Sequence, residues 1–479
     1  MKHPHLQDPS RHKRRGFAMP HIYVILFIFS AVGAIVTHFI PSGHYARVSG
    51  PGGRQVIDPD SFEFISATPV GLVDFMTAIP RGLVDASEVV FFTFIIGGAF
   101  MVLRETGIIE AGVQKLSHAF AQRGVLVIPA LMTVFAIIAT LIGTQELSLV
   151  YVPVILPLMI ALGFDSITAV AVALCGTTIG FTAGVLNPIN TGLGQSIADL
   201  EPFSGAQLRL VLLVALLAAG AAYVSWYAYR VQKNPARSLM HGDPTEHEKR
   251  RLHRHGEGSA PLPPLTGRQR ASAWLVLPFS ALLVWGVITQ GWFFIEISGL
   301  LIIMGIVVGV VAGLSTTHVC EAFNRGLRDV LVGAIIVGVA RSVSVVLEDG
   351  QVMDTIVLGL GHLVGSFPPV LGAVGMYIAQ SLFNFIVPSG SGQALVTMPI
   401  MAPLSDVVGV TRQTAVLAYQ LGDGLTNIIF PTSGYFMAVL AIGKVQYDKW
   451  SRFFLPLLGI WAGIAIVFLV FAQVTGWNG

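Results

Sequence analysis

Charged residues are scarce in this sequence. Asp, Glu, Lys and Arg together make up 11% of its 479 positions, whereas a soluble domain carries about 25%. This scarcity excludes a water-soluble fold. Hydrophobic residues supply 54% of the chain, and they occur in long continuous runs rather than in the alternation typical of a transmembrane β-barrel. The composition therefore predicts an all-α polytopic membrane protein.

Cysteine is almost absent as well. The two cysteines, Cys175 and Cys320, lie far apart in the sequence. Both fall in or beside predicted membrane segments, so we interpret them as small apolar side chains rather than as a disulfide or a metal site. The formal net charge is only +2, and the basic residues flank the membrane segments. We therefore expect no nucleic-acid partner and no metal centre.

The basic residues indicate how the chain is oriented. An apolar run over residues 17–40 follows Arg11, Lys13, Arg14 and Arg15. This run exceeds the roughly 7–15 residues of a signal-peptide core and is long enough to span a membrane. Residues 230–270 carry nine basic against four acidic residues, which predicts a cytoplasmic location. Their Pro and Gly content predicts a flexible linker. Its histidines fit an exposed polar chain better than a metal site; they are His241, His247, His253 and His255.

Polar, glycine-rich interruptions break the apolar sequence at four places. Residues 143–148 and 388–393 lie within long apolar stretches, and residues 187–192 and 422–427 follow them. An unsatisfied backbone group in hydrocarbon is costly, so broken helices persist only where they line a cavity or bind a ligand. We predict re-entrant helical hairpins over 124–162 and 368–408, and discontinuous transmembrane helices over 167–200 and 411–442.

The two halves of the chain share an internal repeat. Pro153 aligns with Pro399 and Pro157 with Pro403 at one offset of 246, and the loop charges require two inverted-topology copies. Inverted repeats with discontinuous segments are typical of secondary transporters with a site near the membrane midplane. The expected organisation is a basic cytoplasmic tail over 1–16, a first membrane repeat over 17–229, a cytoplasmic linker over 230–271, and a linking helix with the second membrane repeat over 272–479.

The interruptions supply most candidate substrate-binding residues. Helix N-termini present N–H groups suited to a substrate carboxylate, while hydroxyl, amide and carboxylate oxygens suit a hard cation such as Na⁺. An intramembrane carboxylate indicates ion coupling or, alternatively, a helix cap. The candidates are Thr144, Gln145, Glu146, Ser148, Asn187, Asn190, Thr191, Ser389, Ser391, Gln393, Asp423, Thr426, Asn427, Thr432, Ser433 and Arg341. The coupling-ion candidates among them are Glu146, Asn187, Asp423 and Asn427.

Arg341 differs from the other candidates because it lies within an apolar span and carries a positive charge. Its planar guanidinium could hold a substrate carboxylate bidentately. It could equally pair with Glu348, Asp349 or Asp423. The sequence leaves these alternatives open.

Several segments resemble a known transporter family. They are Pro20-His21 through Tyr45, Gly338-Val339-Ala340-Arg341, Phe385 through Gln393, and Gly422 through Gly434. These segments are similar to the YfcC branch of the anaerobic C4-dicarboxylate carrier family, in the ion-transporter superfamily, and the resemblance covers nearly the whole chain except the linker. It implies an inner-membrane secondary carrier with two hairpins and two broken helices around the substrate. Branch members are described as dicarboxylate carriers or as basic amino-acid antiporters, so the substrate stays open.

We therefore expect a secondary active transporter for a small carboxylate-bearing metabolite, a C4-dicarboxylate or an amino acid, working by alternating access. A Na⁺ or H⁺ gradient or exchange would drive it, and a basic amino-acid antiporter of arginine/ornithine type is the alternative. A passive channel or an intramembrane enzyme ranks lower. An inverted repeat favours alternating access over a channel. Against a protease, Gln420-Leu421-Gly422-Asp423 lacks the first glycine of a Gly-x-Gly-Asp motif.

No cofactor is expected, apart from Na⁺ as a coupling ion. The expected partners are a small-molecule substrate and the lipid bilayer of the cell inner membrane, which the protein crosses several times. A homodimer stays open on the sequence, as do elevator and rocking motions.

Overall fold

The computed structural model describes residues 22–49, 55–109, 111–112, 115, 124–253 and 265–479. The basic tail expected over 1–16 lies outside these ranges. So do most of residues 110–123 and the later part of the linker.

The first half of the chain is mainly helical. Its helices are α1 (Ile22–Val36), α2 (Leu72–Asp85), α3 (Ser87–Glu105), α4 (Val127–Ile142), α5 (Ser148–Ala161), α6 (Ser166–Ala183), α7 (Leu193–Ile197) and α8 (Ala206–Lys233). Helix α9 (Pro244–His253) lies in the connection between the halves. Four short strands, β1 (Gly43–His44), β2 (Arg47–Ser49), β3 (Gln55–Ile57) and β4 (Glu63–Phe64), form the antiparallel pairs β1–β4 and β2–β3.

The described part of the second half contains helices and no strand. Its helices are α10 (Gly267–Gln290), α11 (Phe294–Ala312), α12 (Thr316–Asp349), α13 (Met353–Gly365), α14 (Pro369–Ile386), α15 (Gly390–Val407), α16 (Arg412–Thr426), α17 (Gly434–Ile442) and α18 (Tyr447–Val474). Eight helices in the described part of the chain are long and apolar enough to cross a membrane. The prediction of a helical, multi-pass membrane protein is therefore confirmed.

The all-α prediction is wrong in one respect, because the structure also contains two small sheets. They occupy the polar loop after α1, where the sequence shows no strand pattern. Arg47 of β2 forms an ion pair with Asp354 of α13 at 3.0 Å, and the backbone N–H of Tyr45 donates to the same carboxylate at 3.0 Å. These contacts with the second half explain why a loop of this composition is ordered.

The core lies around α6 and α16, the two helices that lead to the predicted breaks. Every residue of α6 is buried, and so is every residue of α16 after Arg412. Small side chains let neighbouring backbones approach closely in a membrane protein. A Cβ added to Gly180 of α6 would overlap the backbone of Ala136 on α4. The helices that carry the breaks are thus enclosed by the rest of the chain.

Helix interruptions occur at or beside the four predicted places, but residues 422–426 are still helical, so the second break begins later in the chain than predicted. Helices α4 and α5 are joined through residues 143–147, and α14 and α15 through residues 387–389. Helix α6 ends at Gly184, whose φ of 58° is a left-handed cap that favours glycine. A π-helical turn, Pro188–Gly192, follows before α7, and a non-helical stretch over 427–433 separates α16 from α17.

Helix α12 differs from the sequence prediction, which places a surface segment with Arg325 and Arg328 before a separate span over 330–347. The structure has one continuous helix of 34 residues. Its early part packs on α3, since a Cβ added to Gly97 would lie 2.7 Å from the carbonyl oxygen of Gly326. Arg325 also pairs with Glu105 at 3.0 Å. Packing against α3 therefore holds the segment as helix.

The connection between the halves is ordered over its first part, so the prediction of a flexible linker is wrong there. Glu246 is buried, and its carboxylate accepts a hydrogen bond from the backbone N–H of Ser166, at the start of α6. Lys249 Nζ donates to the carbonyl oxygen of Gly443, after the end of α17, at 2.8 Å. Each charge matches the sign of the helix end that it meets. The connection thereby joins the ends of both broken helices.

Loss of Lys449 is expected to destabilise this region. Lys449 Nζ donates to the buried Asp243 carboxylate at 2.7 Å. Burial alone would raise the pKa of Asp243, but hydrogen bonds from Lys449 and Thr245 outweigh it and lower the pKa to about 2. Lys449→Met should lower the free energy of unfolding by about 3 kcal/mol at pH 7, because it leaves a buried carboxylate unpaired. The lowered apparent melting temperature measures this effect.

The same pair predicts a pH dependence. Because the folded-state pKa of Asp243 is depressed, its contribution is present at neutral pH and is lost as the pH falls from about 4 towards 2. The melting temperatures of wild type and Lys449→Met should therefore converge in that range. The double variant Asp243→Asn/Lys449→Met is the control and should recover part of the loss. An unchanged melting temperature for Lys449→Met at pH 7 would contradict this account.

Candidate functional site

Asp423 lies at the centre of the candidate site. Its side chain, in the last turn of α16, is 0% exposed. The carboxylate accepts a hydrogen bond from Asn427 Nδ2 at 3.0 Å and another from Asn190 Nδ2 at 3.0 Å. Asn427 begins the second break and Asn190 lies in the first. The two breaks therefore meet at a single buried carboxylate.

The tip of the second hairpin lies directly against this carboxylate. Tyr419 OH donates to the carbonyl oxygen of Gly390 at 2.7 Å. A Cβ added to Gly390 would overlap the Asn190 amide nitrogen and would lie 2.7 Å from Asp423 Oδ2. Only glycine lets the start of α15 approach so closely.

The tip of the first hairpin is tied to both broken helices through Gln145. Gln145 Nε2 donates to the carbonyl oxygen of Gly424 at 3.1 Å and to Thr178 Oγ1 of α6 at 3.2 Å. Tyr435 OH, at the start of α17, donates to Gln145 Oε1 at 2.7 Å. The two tips and the two breaks thus form one contiguous polar region.

Glu146 supplies a second carboxylate. It is half-buried, and Thr144 Oγ1 donates to its carboxylate. Glu146 follows Gln145, whose amide bonds the carbonyl oxygen of Gly424, the residue after Asp423, so both carboxylates belong to the same polar region. No Lys or Arg occurs within residues 143–148, 187–192, 388–393 or 422–434. The tips and breaks therefore carry negative charge, which suits a cationic group.

Asn384 holds the second break in place, although it lies outside the candidates from the sequence. Its Nδ2 donates to the carbonyl oxygen of Asp423 at 3.1 Å, to Thr426 Oγ1 at 2.7 Å and to Asn427 Oδ1 at 3.1 Å. An asparagine in an apolar hairpin arm is the sequence signal, but it equally indicates a contact between helices. Further residues of the region that sequence reasoning missed are Thr178, Thr182, Gln380, Gln420 and Tyr435.

Several buried oxygens in this region have no hydrogen-bond partner within the described part of the chain. Three lie at the breaks, two on the arms of the second hairpin, and one each on α6 and α16. They are Thr182 Oγ1, Thr191 Oγ1, Asn384 Oδ1, Gln393 Oε1, Gln420 Oε1, Thr432 Oγ1 and Ser433 Oγ. Burying such oxygens without partners is costly, and hydroxyl and amide oxygens are ligands that hard cations take.

The remaining candidates make hydrogen bonds within the tips and breaks or with a hairpin arm, or are at least partly exposed. The Ser148 hydroxyl donates a hydrogen bond to the carbonyl oxygen of Gln145, and Asn187 Oδ1 accepts one from the backbone N–H of Asn190 at 3.0 Å. Gln393 is buried but bonds Gln380 of the facing hairpin arm. At the second tip, Ser389 is exposed and Ser391 is half-buried.

Arg341 lies away from the candidate site. It lies on α12, where its guanidinium bonds Glu348 at 3.2 Å and approaches Asp85 at 3.9 Å. The substrate role considered for it is therefore corrected to that of an ion-pair partner, because carboxylates on its own helix and on α2 satisfy its charge.

Comparison with known proteins gives one family and two relatives along almost the full chain. The family model "C4-dicarboxylate anaerobic carrier" matches residues 19–474. The chain is 32% identical to the Escherichia coli (strain K12) protein named "Putative basic amino acid antiporter YfcC", covering 97% of this chain and 98% of that protein. It is 25% identical to an uncharacterized protein of Haemophilus influenzae, covering 96% of this chain and 97% of that one.

Two solved structures are similar along nearly the whole chain. One is the antimetabolite efflux pump MtrF of Neisseria gonorrhoeae, with a TM-score of 0.43, 16% identity, and 96% of both chains covered. The other is the YdaH transporter of Alcanivorax borkumensis, with a TM-score of 0.40, 16% identity, and 96% of this chain and 99% of that chain covered.

Proposed function

The chain belongs to the C4-dicarboxylate anaerobic carrier family and is a secondary transporter, and we propose that its substrate is a basic amino acid. In this proposal Asp423 and Glu146 face the cationic side chain of the solute. The N–H groups at the start of α15, beside Gly390, face its carboxylate. The relative named as a basic amino acid antiporter supports the same substrate class.

The charge of the site is the observation that carries this proposal. Two carboxylates lie in one polar region, since Glu146 follows Gln145, which bonds the residue after Asp423, and Arg341 is engaged elsewhere. Two opposite unit charges at 4 Å attract by about 1 kcal/mol in water and about 4 kcal/mol near a protein surface. A dianion would meet repulsion of that order. An amino acid with a cationic side chain complements both the carboxylates and the helix N-terminus.

The transport cycle we propose is alternating access around this buried region. The halves would form inverted-topology repeats, each with a re-entrant hairpin and a discontinuous helix, so that the tips reach the membrane midplane from opposite faces. The excess of basic residues in the connection supports a cytoplasmic location for it and for the N-terminus. The membrane would be the cell inner membrane.

A second candidate is Na⁺-coupled uptake of a C4-dicarboxylate. The buried oxygens without partners, Thr191 Oγ1, Thr432 Oγ1 and Ser433 Oγ among them, favour a bound hard cation. A cation there would offset the charge of the carboxylates. The family description names this substrate class.

Counterflow in proteoliposomes separates the two candidates. Vesicles loaded with unlabelled arginine should accumulate labelled arginine or lysine saturably, whether or not Na⁺ is present. Unlabelled lysine should compete and succinate should not. Saturable uptake of succinate that requires Na⁺, without arginine counterflow, would overturn the proposal in favour of the second candidate. Flux of arginine that neither saturates nor shows counterflow would indicate a channel instead.

Glu146→Gln tests the role of the second carboxylate. We expect the KM for arginine to rise at least 10-fold, because a charge that faces the solute cation is lost, which corresponds to about 1.4 kcal/mol. Initial counterflow rates over a range of arginine concentrations measure this. The matched control is Glu348→Gln, an exposed carboxylate that pairs with Arg341. Equal KM values for the two variants would contradict the assignment of Glu146.

A further inference from the structure

A cavity of about 440 Å³ lies apart from the polar region at the tips and breaks. One wall is formed by α3 and α12, through residues such as Phe100 and Val330. The other is formed by α5, by α9 and by the end of α17, through residues such as Leu156 and Ile442. The cavity therefore separates the α3–α12 pair from elements that carry or cap the site.

Each wall of this cavity carries both signs of charge. Arg104 and Asp329 line it from α3 and α12, and Glu248, Lys249 and Lys444 line it from the opposite side. Charged side chains are costly in hydrocarbon and line water-filled spaces instead. The cavity therefore opens to water on the face that carries α9, which we call the connection face.

The two site helices lead from the tips to this cavity. Helix α5 begins at Ser148, whose hydroxyl donates to the carbonyl oxygen of Gln145. Four residues of α5 line the cavity: Pro153, Leu156, Pro157 and Ile160. Five residues at 1.5 Å each place Pro153 about 7.5 Å from the hairpin tip. Helix α17 likewise begins beside Tyr435, which bonds Gln145, and Ile442 at its end lines the cavity. Both helices therefore extend from the site to the cavity.

Lys444 is held at the cavity wall in an unusual backbone conformation. Its φ is 51°, in the left-handed region that favours glycine. A lysine side chain at this position is retained at a conformational cost.

We propose that this cavity is a second binding site for zwitterions that carry a carboxylate and an ammonium group, occupied between the central site and water at the connection face. Arg104 and Lys444 meet the carboxylate, and Asp329 and Glu248 meet the ammonium group. The identity of the solute rests on the proposed function, whereas the existence of a water-filled binding cavity does not.

Thiol labelling tests whether the cavity is open to water and occupied. The background carries Cys320→Ser, which removes the exposed cysteine and leaves the buried Cys175. In it, Leu156→Cys should react with a charged, membrane-impermeant thiol reagent from the connection face only, and saturating lysine should slow the reaction at least 5-fold. Val154→Cys is the matched control, since Val154 lies on the same helix, is 56% exposed and is outside the cavity lining. It should remain unlabelled.

The outcomes distinguish this proposal from the proposed function. Absence of labelling at Leu156→Cys from the connection face, or labelling that neither lysine nor arginine slows, would overturn the second binding site even if arginine counterflow is observed. Labelling that lysine slows, together with failed arginine counterflow, would overturn the proposed function and leave the cavity as a binding site. Protection by succinate and not by lysine would overturn the zwitterion assignment.

Lys444→Gly tests whether the positive charge of Lys444 contributes to binding in the cavity. It adds no backbone strain, because glycine readily adopts the left-handed conformation. We expect the KM for arginine presented at the connection face to rise about 5-fold, with little change at the opposite face. Lys444→Arg should restore the wild-type value. Arg452→Gln, at an exposed position outside the lining, is the control. Equal KM changes at both faces would contradict the role of this cavity.

Discussion

Alanine at position 390 is expected to abolish transport. A Cβ on Gly390 would overlap the Asn190 amide and would lie 2.7 Å from Asp423 Oδ2, so the start of α15 must withdraw from the carboxylate. Overpacking of a well-packed core costs about 1–3 kcal/mol, and here the displaced groups are those that would bind the solute. We expect initial counterflow rates to fall at least 100-fold, which corresponds to about 2.7 kcal/mol.

Gly392→Ala is the matched control for this prediction. It lies in the same tip, and the nearest atom to an added Cβ is Ser389 Oγ at 3.1 Å, on an exposed side chain that can rotate away. Transport should stay within about 3-fold of wild type. The account of the second tip would be wrong if Gly390→Ala and Gly392→Ala had equal rates.

Replacement of Asp423 with asparagine is expected to remove transport almost completely. The change keeps the shape of the side chain but removes its charge. It also leaves one oxygen where two accept hydrogen bonds from Asn190 and Asn427, so an NH₂ group would face an amide donor. Both effects act at a fully buried position, where an unmade hydrogen bond costs about 1–3 kcal/mol. We expect arginine counterflow to fall at least 100-fold, further than for Glu146→Gln.

The control for Asp423→Asn is Asp199→Asn. The Asp199 side chain is 82% exposed and pairs with Arg412 at 2.8 Å. The transport rate of Asp199→Asn should stay within about 2-fold of wild type, because exposed ion pairs contribute little to the stability of the fold. A wild-type transport rate in Asp423→Asn would contradict a role for the Asp423 carboxylate in transport.

The helix interruptions are predictable from the sequence because their signal is local. Polar and glycine residues such as those at 187–192 contrast with the apolar runs around them, and no knowledge of neighbours is needed to see a costly break. The contact between the two breaks depends on tertiary packing and has no such local signal. Asn190 and Asp423 are 233 residues apart, and the repeat indicates that they converge without giving the register that places Gly390 between them.

The partners of charged residues could not be predicted for the same reason. The sequence offers Glu348, on the same helix, as one possible partner of Arg341, but only the packing of α2 on α12 brings Asp85 near it. The connection looks flexible by composition. It is ordered because Glu246 and Lys249 meet helix ends 80 and 194 residues away. Composition reports local preference and cannot report which distant helix end lies nearby.

Equilibrium binding of labelled arginine to the purified protein tests the central claim most directly, because it needs no gradient and no transport cycle. The account predicts saturable binding to wild type that lysine displaces and succinate does not, and no measurable binding to Asp423→Asn. Equal binding to wild type and Asp423→Asn, or displacement of arginine by succinate as effectively as by lysine, would contradict a buried carboxylate site for a basic amino acid.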